Sequence, residues 1–323
     1  MADALIITDG RLGNLRQARA LAQAARIPAG EMQTDLRAPW SQLAPRMPRL
    51  AGLAQRNSTQ LPSGPPWPRL VIGCGRQAAW VTRWLHRQAG PASFCVQILD
   101  PRINSRHWDL LIAPRHDSVR GDNVIRTIGS LSPVDSAWLA KARADFGFLA
   151  DLPQPRITLL LGGPRRGVRF DNALQQSLVH AVMQHAGTSG SALVCASPRT
   201  PPDFARSLHQ ALAPRIGHAW LGEDDGKNPY PGHLAWADRI VVTPESVNML
   251  SEAAASGAPV HTLTDSSLPD RLARFHEALR QGGWLHDLDQ AAAGTPQPLR
   301  ETREVAAEVL RRMQAHFARV RAS

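Results

Sequence analysis

Apolar residues in this chain come in short runs, and the runs alternate with stretches of helical period. "ALIITDG" (4–10) reads as a buried strand entering a turn, and "NLRQARALAQAA" (14–25) as the helix after it. Residues 39 to 69, rich in proline and holding Trp40 and Trp67, read as an irregular loop or insertion. "RLVIGCG" (69–75) and "RQAAWVTRWLHRQ" (76–88) repeat the strand-then-helix pattern, and "SFCVQILD" (93–100), "WDLLIAP" (108–114) and "NVIRTIG" (123–129) supply three more strands. Strands alternating with helices predict a parallel sheet covered on both faces.

The pattern then restarts. "ADLPQPR" (150–156) reads as a linker between two modules. "ITLLLGGPRRG" (157–167), "SALVCAS" (191–197), "RIVVTP" (239–244) and "APVHTL" (258–263) read as strands, with "NALQQSLVHAVMQHAG" (172–187) and "PPDFARSLHQALA" (201–213) as helices between them. The fold class expected is α/β, with two doubly wound Rossmann-like domains facing a cleft. The boundary is placed at 150/151, giving domains 1–150 and 151–323. The last segment, "LRETREVAAEVLRRMQAHFARVRA", reads as a long helix that packs back on the first domain.

Composition narrows the function classes. The chain has 323 residues, enough for two domains of about 150 each. No window approaches the roughly 18–20 apolar residues of a membrane span. The start "MADALIITDGR" lacks the basic segment of a secretory signal, so a cytoplasmic protein is expected. Cys74, Cys95 and Cys195 are far apart in apolar runs and read as small buried hydrophobes rather than zinc ligands. The formal net charge is +10, but the arginines are scattered and form no nucleic-acid-binding motif. Nucleic acid is therefore not an expected partner.

Ligands of open α/β sheets sit beyond the carboxyl ends of the strands, and four such ends carry unusual residues. In "TDGRLGNLRQ", Asp9, Gly10, Arg11, Gly13, Asn14 and Gln17 make a polar turn whose spacing is not that of a dinucleotide fingerprint. In "VIGCGRQAAW", Gly73, Gly75 and Arg76 offer a second close approach to backbone. In "LLLGGPRRG", Gly162 and Gly163 precede Arg165, a pattern suited to phosphate. In "VVTPESVNMLSEAAASGAPV", Thr243 reads as a helix cap and Pro244 as the first helical residue, with Ser246 beside them. Asn248 and Glu252 share a face about 6 Å apart along the axis. A phosphate at the helix start and ribose hydroxyls at Glu252 fit that spacing. An arginine salt bridge is the other account of Glu252. Upstream, Asn228 and Tyr230 lie in "NPYPGHLAWADR", where the tyrosine stacks on a base or stiffens a connector. His116 and Asp117 end the "LLIAPRHD" run, as a general base with its orienting acid or as a surface pair.

Taken together, "TDGRLGNLRQ", "VIGCG", "QILDPR", "LLIAPRHD", "LGGPRR" and "NPYPGHLAWADRIVVTPESVNMLSEAAASGAPV" resemble a bacterial family labelled mitochondrial fission protein-like, after the plant elongated-mitochondria fission factor. The resemblance runs from about residue 5 to residue 290. That family is similar to GT-B glycosyltransferases, and in particular to the enzyme that adds N-acetylglucosamine to a lipid-linked peptidoglycan precursor. "SEAAASGAP" puts Glu252 at that enzyme's ribose-binding glutamate, and Gly162 and Gly163 match its glycine loop. Asn14 stands where that enzyme has a histidine.

The resemblance implies a metal-independent hexosyltransferase with no cofactor and a nucleoside diphosphate sugar as co-substrate. Gly162, Gly163, Arg165, Asn228, Tyr230, Thr243, Ser246, Asn248 and Glu252 would hold the donor. Gly10, Arg11, Gly13, Asn14, Gln17, Gly73, Gly75 and Arg76 would hold the acceptor, with Asp9 or the His116–Asp117 pair as base. A lipid-linked or cell-envelope acceptor suits the basic, tryptophan-containing first half and a position peripheral to the inner membrane. Two rivals keep the fold: a non-catalytic recruitment protein with a protein partner, and a sugar-nucleotide epimerase.

Overall fold

The apolar runs fold as the inner strands of two sheets. The computed structural model describes residues 3–46, 61–62, 64–264, 268–291, 294 and 297–322. The chain divides into two units, Met1–Pro133 with Glu301–Ser323, and Val134–Arg300. Residues 47–60 and 63 of the proline-rich stretch lie outside the described residues.

The first unit holds β1 (Ala4–Thr8), β2 (Ala29–Gln33), β3 (Leu70–Cys74), β4 (Phe94–Ile98), β5 (Leu110–Pro114) and β6 (Val124–Thr127). They pair in parallel in the order β2-β1-β3-β4-β5-β6. Every residue of β3, β4 and β5 is buried, as expected of parallel strands covered on both faces. Side chains alternate between the faces. Ile6, Leu70, Ile72 and Val96 join one core, whereas Ile7, Val71, Trp80 and Cys95 join the other. α1 (Leu12–Ala24) and α3 (Arg76–Ala89) follow β1 and β3, and a short α2 (Trp40–Leu43) lies between them in sequence.

The second unit holds β7 (Arg156–Leu161), β8 (Ser191–Ala196), β9 (Ile216–Trp220), β10 (Arg239–Val242), β11 (Val260–Thr262) and β12 (Leu285–Asp287). They are again parallel, in the order β12-β11-β10-β7-β8-β9. The described helices are α4 (Ser136–Asp145), α5 (Asn172–Ala186), α6 (Pro202–Ala211), α7 (Tyr230–Trp236), α8 (Val247–Ser256) and α9 (Asp270–Gln281). Strand order reverses between β1 and β3 in the first unit and between β7 and β10 in the second. Those two switch points are where a doubly wound sheet opens a crevice for ligand.

The expected boundary at 150/151 falls inside the second unit, which begins at Val134. The reason is α4, which packs against α7 through Arg143 Nε, donating to the Ala235 carbonyl at 2.9 Å. Phe146, just after α4, also fills the space beside Gly232. The proline stretch at 150–156 is thus a turn leading into β7, not a linker. The final helix, α10 (Thr302–Ala322), belongs to the first unit and lies against α1. It contributes Val305, Ala306 and Val309 to the core, where a fully buried valine is worth roughly 1.5–3 kcal/mol. The half-buried Glu301 carboxylate fixes its entry by accepting the Ile128 and Gly129 amides at 2.9 Å. The three cysteines are free thiols inside the cores. Among the described residues no helix is long and apolar enough to cross a membrane.

Candidate functional site

In the second unit the loops after β7 and β10 flank the switch point, and they are tied to each other. The Gly162 amide donates to Thr243 Oγ1 at 2.9 Å, and the Gly163 amide donates to Glu245 Oε1 at 2.9 Å. Neither glycine can carry a side chain. A Cβ on Gly162 would overlap the Glu245 carboxylate, and one on Gly163 would overlap the Arg199 backbone. Thr200 Oγ1 closes the turn from the β8 side by donating to the Leu161 carbonyl at 2.9 Å. The two glycine amides are therefore engaged within the protein, a point the sequence pattern does not reveal.

The cap of α8 also differs from the expectation. Helix geometry begins at Val247, and Ser246 is the N-cap, its Oγ accepting the Met249 amide at 3.5 Å. Thr243 lies before the helix with its Oγ1 accepting the Gly162 amide, and Pro244 and Glu245 form a turn between it and the Ser246 cap. The Pro244 carbonyl accepts His276 Nε2 of α9 at 2.8 Å. That bond puts the imidazole proton on Nε2. Burial holds this histidine at about 4, so it stays neutral at physiological pH.

The electrostatics are cationic around one carboxylate. Arg165 reaches the Glu245 carbonyl at 3.4 Å. Its pKa is lowered by burial first and then by Arg271 and Arg199, so three arginines gather near this turn. Glu245 is 1% exposed, and burial raises its carboxyl above the ordinary range against its hydrogen bonds to Thr243 and Gly163. The amides of the first turn of α8 lack intrahelical acceptors and carry the positive end of the helix dipole. This constellation can take a phosphate or diphosphate. Glu245, Arg199, Thr200, Arg271 and His276 were not singled out from sequence. The one available signal was an acid directly before a helix start, which the dipole favours.

Glu252 and Tyr230 form a second group. Both are buried, and the tyrosine hydroxyl donates to Glu252 Oε2. Tyr230 is thus turned inward onto Glu252 and does not present its ring for stacking on a base. A tyrosine hydroxyl is thus one partner of the Glu252 carboxylate. Asn228 stands at the start of α7, its Oδ1 accepting the Tyr230 amide at 2.9 Å. Asn248 sits half-buried on the first turn of α8.

In the first unit, Asp9, Gly10, Asn14 and Gly75 come together at the switch point between β1 and β3. Asn14 Nδ2 donates to Asp9 Oδ1 at 2.8 Å, and these two side chains occupy the space beside Gly75, whose φ is +95°. Gly10, at φ +77°, is backed by the Gln33 side chain. Arg11 is exposed beside Asp9 at 3.5 Å. Gly13 lies in the first turn of α1, and Gln17 is buried one turn further on. Arg76 turns away to the Ser41 carbonyl at 2.9 Å. Gly73 is inside β3, its open side filled by Gln97 and Thr82, so it offers no approach to a ligand.

His116 and Asp117 are both buried rather than on the surface, with Nε2 and Oδ1 4.0 Å apart, too far for an orienting hydrogen bond. They follow β5, three places from β1 in the sheet, or about 14 Å at the inter-strand spacing. Asp9 and the His116–Asp117 pair are accordingly two separate places, not one catalytic group.

Comparison with known proteins agrees with this architecture. The UDP-GlcNAc 2-epimerase from Neisseria meningitidis, solved with UDP-GlcNAc bound, superposes with a TM-score of 0.52 at 13% identity, covering 95% of this chain and 99% of that one. The glycotransferase of kitacinnamycin gives 0.51 at 13% identity, covering 97% and 95%. At such identities the likeness is one of fold, the GT-B-like pairing of two Rossmann-like units in one chain. The mitochondrial fission protein ELM1 of Arabidopsis thaliana is 30% identical over 278 residues, 77% of this chain and 64% of that protein. This chain therefore spans less of the plant relative than the relative spans of it. The family described as Mitochondrial fission ELM1 matches residues 12–313. With its match spanning nearly the whole sequence, the chain belongs to the mitochondrial fission ELM1 family.

Proposed function

We propose that this chain is a cytoplasmic GT-B-type glycosyltransferase whose second unit holds a nucleoside diphosphate sugar at the start of α8. The observation that carries the reading is the β7/β10 switch point, where Arg165, Arg199 and Arg271 gather beside a serine-capped helix start. Two diester phosphates bring two negative charges to that cationic surface. Fold neighbours include a protein solved with UDP-GlcNAc, which supports a nucleotide-sugar ligand.

In the reaction, an acceptor hydroxyl oxygen bonds to the anomeric carbon as the bond from that carbon to the diphosphate breaks. The nucleoside diphosphate leaves, and its charge is stabilised by arginines and helix amides without a metal. The hydroxyl proton passes to a base, for which Asp9, fixed by Asn14, is the first unit's candidate. A lipid-linked or cell-envelope acceptor, met at the inner-membrane surface, is part of the same reading.

A second reading, recruitment of a protein partner without turnover, is favoured by two observations. Glu252 is already bonded to Tyr230, and the glycine amides are already bonded to Thr243 and Glu245. The two readings separate in a donor-hydrolysis assay. Incubation with UDP-, GDP- and ADP-sugars should release one nucleoside diphosphate, and Arg165→Ala should slow that release by about tenfold or more. No release and no binding across the panel would leave the recruitment reading.

A further inference from the structure

The glycine turn at the second unit's switch point already holds an anion, and that anion is the chain's own. Glu245 Oε1 accepts the Gly163 amide at 2.9 Å and fills the space where a Gly162 side chain would begin. Its other oxygen, Oε2, is buried with no hydrogen-bond partner. Two cationic groups act on this carboxylate, Arg165 from the loop after β7 and Arg199 from the loop after β8. Arg271 of α9 lies beside Arg165 and adds to the local positive charge. From α9 as well, His276 holds the adjoining Pro244 carbonyl. The α8 start adds the positive end of a ten-residue helix. A single carboxylate is thus seated in surroundings built for a larger negative charge, with one of its oxygens unsatisfied.

We propose that Glu245 is an internal competitor in the anion site, holding the glycine-turn amide that a phosphate oxygen of the incoming nucleotide would take and opposing that phosphate with its own charge. The inference rests on the nucleotide reading above and adds to it a residue that sets affinity. Its consequence is a proton linkage. Burial raises the Glu245 carboxyl, so it takes up a proton above the ordinary carboxylate range, and the neutral form no longer repels phosphate. The arginines stay charged throughout, and His276 remains neutral down to about 4. Affinity for a ligand of fixed charge should therefore rise as pH falls, through Glu245.

The test is calorimetric titration of the full chain, its Glu245→Gln variant and its Glu245→Ala variant. The probes are UDP-N-acetylglucosamine, whose diester phosphates keep constant charge between about pH 5.5 and 8, and inorganic diphosphate at one fixed pH. The expected result is binding at least about tenfold tighter in both variants. The wild type should also tighten toward low pH, while Glu245→Gln stays flat. If Glu245→Ala does not fold, Glu245→Gln decides alone. A folded Glu245→Gln protein that binds no tighter and keeps the wild-type pH profile overturns the proposal and leaves the nucleotide reading intact. Absence of binding by all three proteins to both probes overturns the nucleotide reading, and the proposal with it.

Discussion

At the residue scale, the glycines and acids picked out by the pattern are held mainly by other residues of the protein. Gly162 is glycine because Glu245 lies against it. Gly162→Ala should displace that carboxylate and destabilise the second unit by about 1–3 kcal/mol, the usual cost of overpacking; urea unfolding measures this directly. The Tyr230–Glu252 pair invites a double-mutant cycle. Tyr230→Phe removes a donor from a buried carboxylate and should cost about 1–3 kcal/mol. Glu252→Gln in the same background should cost much less than Glu252→Gln alone, because the coupling is already lost. Strictly additive losses would show that the hydroxyl and the carboxyl do not interact.

At the element scale, the sequence identifies the strands that are buried throughout and loses the ones that are not. β3, β4, β5, β7 and β8 are apolar runs because helices cover both their faces. β2 and β9 are edge strands with half-exposed residues, and β12 has only three residues, so none of them stands out as an apolar run. Thr-Pro looks like a cap and predicts the start of α8 three residues early, and nothing local shows that Thr243 accepts the Gly162 amide. Proximity across loops hides the site in the same way. Arg199 and Arg271 are distant in sequence from Arg165, and no spacing rule brings them together. The final helix gives a prediction at this scale. Val309→Asp puts a charge into the first unit's core, and it should abolish cooperative unfolding of that unit or cost more than about 3 kcal/mol. The same substitution at the exposed Ala318 should change stability by less than about 0.5 kcal/mol. Circular dichroism melts of the two variants make the comparison.

At the scale of the whole molecule, pH acts through buried histidines. Burial lowers His233 to about 3, and it lowers His261 and His276 to about 4; the neighbouring His218 adds to the effect on His233. All three lie in the second unit. Their folded pKa values are below the unfolded value of about 6.5, so the unfolded chain binds more protons in that interval. Stability is complete above about pH 6.5 and falls as pH drops toward 4, by about 1.4 kcal/mol per pH unit for each histidine. Glu245 and Glu301, raised by burial, act in the opposite sense just above the ordinary carboxylate range. Between about pH 6.5 and 5.5 the histidine slope should therefore build toward its full value. Urea unfolding at a series of pH values would reveal it, and a flat profile across that interval would contradict the burial of these rings.

The central claim is that the start of α8, with its three arginines, holds the diphosphate of a nucleotide sugar. The most direct measurement is calorimetric titration of the wild type and an Arg165→Ala, Arg199→Ala double variant with UDP, GDP, ADP and CMP. The account predicts saturable binding of one nucleoside diphosphate by the wild type, weakened by about tenfold or more in a variant that melts normally. Wild-type protein that binds none of them at millimolar concentration, or a folded variant that binds as tightly as the wild type, would contradict it.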